Sequence, residues 1–226
     1  SEKINNGTTL SYSGLDVIVG QVESSYKTVG VKEDAYVEAG TSRYNNYGSD
    51  ELLDIKALSG SANEYYRRMY LKFDLSGIST TDLENAIIAI NCVSMENTSI
   101  PTAVNVYSCS NDWKESSISY SKKVSFGFLG SYDMNNCPKA QSLITSAEVG
   151  GTGMFYIDLG DYIKNCVEKG TTEVSFILEG DTDVCRRLRF ASKENSLGGA
   201  ELKLFYGGFE YTTDLEYTAE NPWQVA

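Results

Sequence analysis

The hydrophobic residues of this chain recur mostly at every second position, which is the pattern of β-strands with one face in a core. Segment 66–75 shows this alternation most clearly. Its inward positions are apolar: Met69, Leu71, Phe73 and Leu75. The positions between them are polar or aromatic: Arg68, Tyr70, Lys72 and Asp74. We therefore expect a strand that buries one face and presents two cations and a tyrosine ring on the other.

The same pattern predicts about ten short strands along the chain. They cover 16–22, a stretch from 26, 34–38, 53–57, 67–75, 87–93, 103–109, 154–159, 174–178, 185–191 and 200–206. Segment 87–93 is apolar on both faces, so we expect it at the centre of a sheet. Residues 161–169 are the helix candidate, because their apolar residues share one stripe and Gly170 can end the helix. Segment 111–123 is expected to be irregular, and 125–152 is left unassigned.

This order of elements predicts an all-β fold, an antiparallel jelly-roll β-sandwich with one short helix. We divide the chain into an N-terminal extension with one or two strands (1–30), the sandwich (31–206) and a C-terminal tail or linker (207–226). The composition agrees, because 16 tyrosines and three prolines among 226 residues suit strands and turns.

The net charge bears on the kind of partner. With 19 basic and 31 acidic residues the formal charge is −12, which repels nucleic acid and anionic membranes, so we expect neither as a partner. No stretch of about 18 apolar residues is present. Against this acidic background the arginines are concentrated: of six, five lie at positions 67, 68, 186, 187 and 189.

These arginines suggest a binding face. Arg67, Arg68, Tyr70 and Lys72 come from one strand, and Arg187 and Arg189 alternate with apolar residues on another. If the two strands are neighbours, their guanidinium groups line a groove suited to the carboxylates of an acidic polysaccharide, with Tyr70 stacked on a sugar ring. The alternative is that acidic residues such as Asp74 and Glu179 neutralise these arginines in a structural network.

Tyrosines in the turn-rich loop 41–50 offer a second set of candidates. Tyr44 and Tyr47 either form an aromatic rim for a sugar or cover the edge of the core. Trp113 is expected in the core. The chain has no histidine, which excludes Ser-His-Asp and Cys-His catalysis. With 31 acidic residues a close carboxylate pair carries little information, so we expect no catalytic site.

Cysteines and carboxylates bear on metal binding and thiol chemistry. The five cysteines are widely spaced and contain no Cys-x-x-Cys, which makes a zinc site improbable and favours buried free thiols. Asp34, Asp112 and Glu115, together with backbone carbonyls, are candidates for a structural calcium site. No Asp-x-Asp-x-Asp array supports them, so calcium and ordinary carboxylates both stay open, and no cofactor is certain.

Several segments, in this order, resemble one family. They are the residues 34–37 (DAYV), 46–49 (NYGS), 53–56 (LDIK), 67–75 (RRMYLKFDL), 104–107 (VNVY), 112–116 (DWKES), 118–120 (ISY), 155–159 (FYIDL), 174–176 (VSF) and 189–192 (RFAS). This series is similar to the exported bacterial and archaeal DNRLRE domains, which overlap carbohydrate-binding module family 96. The resemblance spans about residues 31–206, and the string at 67–75 is its most specific part.

The resemblance implies a β-sandwich module attached to secreted enzymes or surface proteins, some of which bind anionic polysaccharide such as alginate. Combined with the arginines, it predicts a non-catalytic carbohydrate-binding module that holds an extended acidic polysaccharide on a basic, tyrosine-containing sheet face. Its expected partners are that polysaccharide and neighbouring modules of the parent protein, at a bacterial cell surface or outside the cell. The alternative is a structural or adhesive spacer domain without glycan binding.

Overall fold

The computed structural model describes residues 9–12, 15–18, 25–57, 66–96, 101–181 and 187–207. Within these ranges the strands are β1 (Thr9–Tyr12), β2 (Leu15–Ile18), β3 (Ser25–Gly30), β4 (Glu33–Glu38), β5 (Leu52–Ile55), β6 (Arg67–Asp74), β7 (Leu83–Met95), β8 (Thr102–Cys109), β9 (Ser119–Ser125), β10 (Ser131–Asn136), β11 (Leu143–Val149), β12 (Gly153–Asp158), β13 (Glu173–Gly180), β14 (Leu188–Ala191) and β15 (Glu201–Tyr206). The α-helix of the described part is α1 (Tyr162–Glu168), and single 3-10 turns lie at Gly40–Ser42 and Gly127–Leu129.

Two antiparallel sheets form a sandwich. The five-stranded sheet has the order β11-β8-β13-β6-β4, and the six-stranded sheet has the order β3-β15-β7-β14-β5 with β12 also paired to β7. Two hairpins, β1–β2 and β9–β10, stand apart from these sheets. Every strand pairing is antiparallel, so the predicted all-β antiparallel sandwich with one short helix is confirmed.

The central strand of the six-stranded sheet is β7, as its two apolar faces predict. Ala89 pairs with Glu201 of β15 on one side and with Tyr156 of β12 on the other. Cys92 pairs likewise with Phe190 of β14 and Gly153 of β12. Strands β14 and β15 therefore follow each other along one edge of β7, and the segment 192–200 leaves the sheet between them.

The core lies between the inner faces of the two sheets. Alternate residues of β5, β6 and β14 point into it and are 0–1% exposed: Leu53 and Ile55 of β5, Met69, Leu71 and Phe73 of β6, and Leu188 and Phe190 of β14. Helix α1 closes one side of this core with the fully buried Ile163. Burying each such side chain stabilises the fold by about 1.5–3 kcal/mol.

A second, smaller core lies on the outer face of the five-stranded sheet. Segment 110–121 crosses this face and places Trp113 and Ile118 over Tyr70 and Ile177 of β6 and β13. The indole N–H of Trp113 donates to Ser175 Oγ at 3.0 Å. The prediction that Trp113 is a core residue is confirmed, because it is 6% exposed.

The structure also corrects several predicted elements. Residues 119–123, expected to be irregular, belong to β9, and the unassigned stretch 125–152 contains β10 and β11. Strand β7 extends beyond the predicted 87–93 at both ends. Strand β3, which lies in the segment 1–30, pairs with β15 of the six-stranded sheet. The tail beyond Gly207, residues 19–22 of the first predicted strand, Cys185 and Arg186 lie outside the described residues.

Candidate functional site

The outer face of β6, predicted to be an open binding face, is covered. Tyr70 and Lys72 are 0% and 1% exposed, because segment 110–121 lies over them. The Lys72 ammonium donates to the carbonyl oxygen of Trp113 at 2.6 Å and to Glu33 at 3.1 Å. It also lies 4.6 Å from the centre of the Trp113 ring. A cation that is enclosed by its own partners in this way has no room for a sugar.

Arg68 lies on the same covered face. Its guanidinium group donates to the carbonyl oxygen of Pro138 at 3.3 Å and lies 3.7 Å from Glu179. It also stacks over the Tyr70 ring at 5.5 Å. The prediction of a solvent-facing row formed by Arg68, Tyr70 and Lys72 is therefore wrong, and the alternative of a structural network describes these three residues.

The two arginine-bearing strands are not neighbours. Strand β6 pairs with β4 and β13, whereas β14 pairs with β5 and β7 in the other sheet. A single groove formed by Arg68, Lys72, Arg187 and Arg189 is therefore excluded by the topology.

Three of the predicted residues do converge, at the edge where the two sheets meet. Asp54 of β5 is 2% exposed. Its carboxylate accepts a hydrogen bond of 2.8 Å from Nε of Arg187 and lies 3.4 Å from Nε of Arg189. Arg67 approaches the same carboxylate at 3.7 Å and donates to Glu38 at 2.6 Å. We call these five residues the arginine cluster. Asp54 was not predicted, although its alternation with Leu53 and Ile55 places it on the outer face.

Two members of the arginine cluster are more exposed than the covered network formed by Arg68, Tyr70 and Lys72. The Arg187 and Arg189 side chains are 32% and 35% exposed, compared with 15% for Arg68, whereas Arg67 of the cluster is only 13% exposed. The buried Asp54 pairs with both Arg187 and Arg189, so these partly exposed guanidinium groups are held in place at the surface. Such groups suit a carboxylate, which a guanidinium binds through two parallel hydrogen bonds.

The outer face of the six-stranded sheet extends from this cluster as an open surface. It contains a cleft of about 260 Å³ beside the junction of β14 and β15. Its lining includes Asn91 and Met154 of the sheet and Lys193, Leu197 and Gly199 of the segment 192–200. A cleft of this size on a sheet face is suited to part of a sugar chain.

Aromatic residues stand on the same outer face. Tyr156 of β12 is 58% exposed and Tyr26 of β3 is 64% exposed, where it packs against Phe205 at a centroid distance of 6.2 Å. Neither tyrosine was singled out from the sequence, although the alternation of Tyr156 with the partly buried Phe155 and the buried Ile157 was a usable signal.

The predicted aromatic rim is divided between two places. Tyr47 stacks on Tyr36 at 4.3 Å and donates its hydroxyl to Glu38 at 3.1 Å, so it covers the edge of the core next to the arginine cluster. Tyr44 lies on the surface and donates to Asp133 of the hairpin β9–β10. Arg43 lies 4.6 Å from the centre of the Tyr44 ring. These two tyrosines do not form one rim.

Two of the three predicted calcium ligands come together. Asp34 and Glu115 lie close to each other and to Glu194, which was not predicted. Asp112 lies elsewhere, where it accepts a hydrogen bond from Ser110 Oγ at 3.1 Å. Burial and the neighbouring charges of Glu194 and Glu115 raise the pKa of Asp34 to about 7.

The expected free thiols are found in the described part of the chain. Cys92, Cys109, Cys137 and Cys166 are all unpaired. Burial raises the pKa of Cys92 to about 11 and that of Cys109 to about 12, so neither is a reactive nucleophile at neutral pH.

Comparison with known families gives one decisive result. The sequence model of carbohydrate-binding module family 96 matches residues 25–206, which is more than half of the chain. The chain belongs to carbohydrate-binding module family 96. The match begins at β3 and ends with β15, so it covers both sheets of the sandwich.

Family 96 is a family of carbohydrate-binding modules, so membership in it indicates carbohydrate binding and a polysaccharide as the partner. A search of the curated proteins found no match. In the described residues, no helix is long and apolar enough to cross a membrane.

Proposed function

We propose that this family 96 module holds an extended acidic polysaccharide along the outer face of its six-stranded sheet, with a sugar carboxylate bound by Arg187 and Arg189. The observation that carries the proposal is the pair of partly exposed guanidinium groups fixed from below by the buried Asp54. A pre-oriented pair of donors loses little conformational freedom when it binds a ligand.

The dimensions of this face support a chain-like ligand. From Asn85 to Ser94 the central strand β7 spans about 30 Å at 3.3 Å per residue, which is the length of several sugar residues. Arg189 pairs with Ser94 at one end, and Phe205 pairs with Asn85 at the other, beside Tyr26. The cleft lies between these two ends. A polysaccharide on this path meets cations first, then the cleft, then aromatic rings.

The charge distribution supports an acidic ligand at the arginine end. Arg67, Arg187 and Arg189 outnumber the carboxylates Asp54 and Glu38 in the arginine cluster, whereas the whole chain carries −12. We expect the affinity to fall as salt is added, because screening shortens the reach of exposed charges to about 10 Å at 0.1 M salt.

The proposal predicts that Arg189→Ala weakens binding to alginate or polygalacturonate by about 10–100-fold, the value of one hydrogen bond to a charged group. Affinity electrophoresis in gels that contain each polysaccharide measures the change, with a neutral β-glucan gel beside them. We expect retention in the acidic gels, less retention at higher salt, and a nearly unchanged melting temperature.

Arg43→Ala is the matched control. Its side chain is 37% exposed and pairs with Asp133, so it resembles Arg189 in exposure but lies by the hairpin β9–β10. We expect this variant to bind as the wild type does. Loss of binding in Arg43→Ala but not in Arg189→Ala would move the site to the hairpin. If none of the polysaccharide gels retains the wild-type protein, a structural or adhesive domain is favoured instead.

We also propose that this module is non-catalytic and acts outside a bacterial cell, beside other modules of its parent protein. The chain has no histidine, and the exposed arginines offer binding and no proton transfer. Release of reducing sugar or unsaturated uronate by the pure protein would contradict this part.

A further inference from the structure

Three carboxylates from distant parts of the sequence meet at one end of the sandwich. Asp34 lies on β4, the edge strand of the five-stranded sheet, Glu115 lies in the segment that covers this sheet, and Glu194 lies in the segment between β14 and β15. One oxygen of each lies within 4.8 Å of the others. Two oxygens bound at about 2.4 Å to one calcium ion are at most about 4.8 Å apart, so this spacing fits a shared ion.

The Asp34 carboxylate has an unused ligand atom in this cluster. Its side chain is 1% exposed, and its Oδ2 accepts the backbone N–H of Lys193 at 2.9 Å. Its other oxygen, Oδ1, has no hydrogen-bond partner among the described residues. A buried carboxylate oxygen without a partner costs free energy, which a bound cation would remove.

The protein's own groups hold the three carboxylates without neutralising them. The Asp34 backbone N–H donates to Glu115 Oε1 at 3.1 Å, and the Lys193 ammonium pairs with Glu115 Oε2. Lys193 also lies 3.8 Å from Glu194. When all three carboxylates are ionised, the Lys193 ammonium offsets one of their three negative charges, and one divalent cation balances the remaining two.

We infer that Asp34, Glu115 and Glu194 form a calcium-binding site that joins β4 to the segments 110–121 and 192–200. Calcium fits because the side-chain ligands are all carboxylate oxygens, without the histidine or thiolate that zinc and copper prefer. Backbone carbonyls and water complete the six to eight ligands that calcium takes in proteins.

The packing around the three carboxylates is consistent with a built site. A Cβ on Gly48 would lie 2.1 Å from the carbonyl oxygen of Glu115, and a Cβ on Gly199 would lie 2.8 Å from the backbone nitrogen of Lys193. The two segments that carry Glu115 and Glu194 are therefore held by close backbone approaches. A site positioned in this way binds an ion with little rearrangement.

The test is calcium binding by the full chain after treatment with EDTA, measured by isothermal titration calorimetry with CaCl₂ and with MgCl₂. We expect one calcium per chain, bound more tightly than magnesium. At a hundredfold excess over Kd, calcium should raise the melting temperature by about 5–10 °C. No glycan is present, so the result is independent of the proposed polysaccharide site.

Two variants locate the site. Glu194→Gln should weaken calcium binding at least tenfold and still fold, because this side chain is 30% exposed and its one ion pair within the described part of the chain is the long contact with Lys193. Asp112→Asn, which changes a carboxylate of the same neighbourhood in sequence but outside the cluster, should bind calcium as the wild type does. Equal loss in both variants would overturn the assignment.

Lys193→Met separates the inference from its rival, in which the Lys193 ammonium is the permanent cation of the cluster. The inference predicts that this variant binds calcium at least as tightly as the wild type, because a competing positive charge is gone. If the wild type shows no saturable calcium binding, or prefers magnesium, the calcium site is refuted and Lys193 is the structural counter-ion.

Discussion

Gly48 has no side chain in a place where the backbone of another segment leaves no room for one. A Cβ at this residue would lie 2.1 Å from the carbonyl oxygen of Glu115 and 2.6 Å from its Cγ. Asn46 fixes the same carbonyl with a hydrogen bond of 2.6 Å. We therefore expect Gly48→Ala to lower the free energy of unfolding by about 1–3 kcal/mol, the usual cost of overpacking, as measured by urea denaturation.

Gly150→Ala is the control for that prediction. A Cβ at Gly150 meets nothing within 4 Å, so the substitution reduces only the freedom of the unfolded chain and should be neutral or slightly stabilising. Equal stability of the two alanine variants would mean that the Glu115 segment can move away from Gly48 at no cost.

The candidate metal ligands show how far single residues are predictable. Asp34 and Glu115 were selected from the sequence, but Glu194 was not, because it lies in a loop that reaches the other two only through the packing of both sheets. Asp112 was also selected, and it lies three residues from Glu115 in sequence, but its carboxylate accepts a hydrogen bond from Ser110 Oγ instead. Proximity along a loop is a poor guide to proximity in space.

Strand β6 carries a prediction about stability. Arg68 contacts Pro138, Glu179 and the Tyr70 ring under the covering segments. Removing it leaves Glu179 without its cation in a place where its side chain is 20% exposed. We expect Arg68→Ala to lower the free energy of unfolding by about 3 kcal/mol, as measured by urea denaturation.

Arg189→Ala is the natural comparison, because its guanidinium group is 35% exposed and Asp54 keeps Arg187 as a partner. Its stability should change by less than about 1 kcal/mol. A reversed order, with Arg189→Ala the less stable variant, would contradict the division between a covered network and an open cluster.

The alternation along β6 predicted the strand and its inward face, but it could not predict what covers the outward face. This face is covered by segment 110–121, which lies about 40 residues later in the sequence. The segment has no periodic pattern from which its packing position could be predicted. The hairpin β9–β10 was missed for a related reason. Strand β9 has Lys122 and Lys123 in its middle, and the hairpin has exposed residues on both faces. Its sequence therefore lacks the apolar alternation that marks a strand.

At the scale of the whole molecule, the sandwich was predictable and the strand order was not. Strands with one apolar face must pair and stack, so the class of fold follows from the pattern alone. Which strands pair depends on contacts between distant segments, such as β6 with β13 and β4. Placing β6 and β14 in different sheets removed the predicted joint groove and left the arginine cluster at the sandwich edge.

The buried thiols and phenols of both cores predict sensitivity to alkaline pH. Burial raises the pKa of Cys92 to about 11, and those of Cys109 and Tyr162 to about 12. It also raises the pKa of Tyr66 and Tyr70. In the unfolded chain these groups ionise near pH 8.5–10. The folded state therefore holds more protons above that range, and its stability, fully present below it, falls as the pH rises toward 12.

Urea denaturation at pH 8, 9.5 and 10.5 measures this loss, and each group that is ionised only when unfolded adds about 1.4 kcal/mol per pH unit to the slope. Cys92→Ala removes one such group. It should be less stable than the wild type at pH 8 because it leaves a cavity, yet lose less stability between pH 9.5 and 10.5. The two effects have opposite directions, so a change in packing alone cannot imitate the change in slope. Parallel curves for the variant and the wild type would mean that the Cys92 thiol ionises as readily in the folded core as in the unfolded chain.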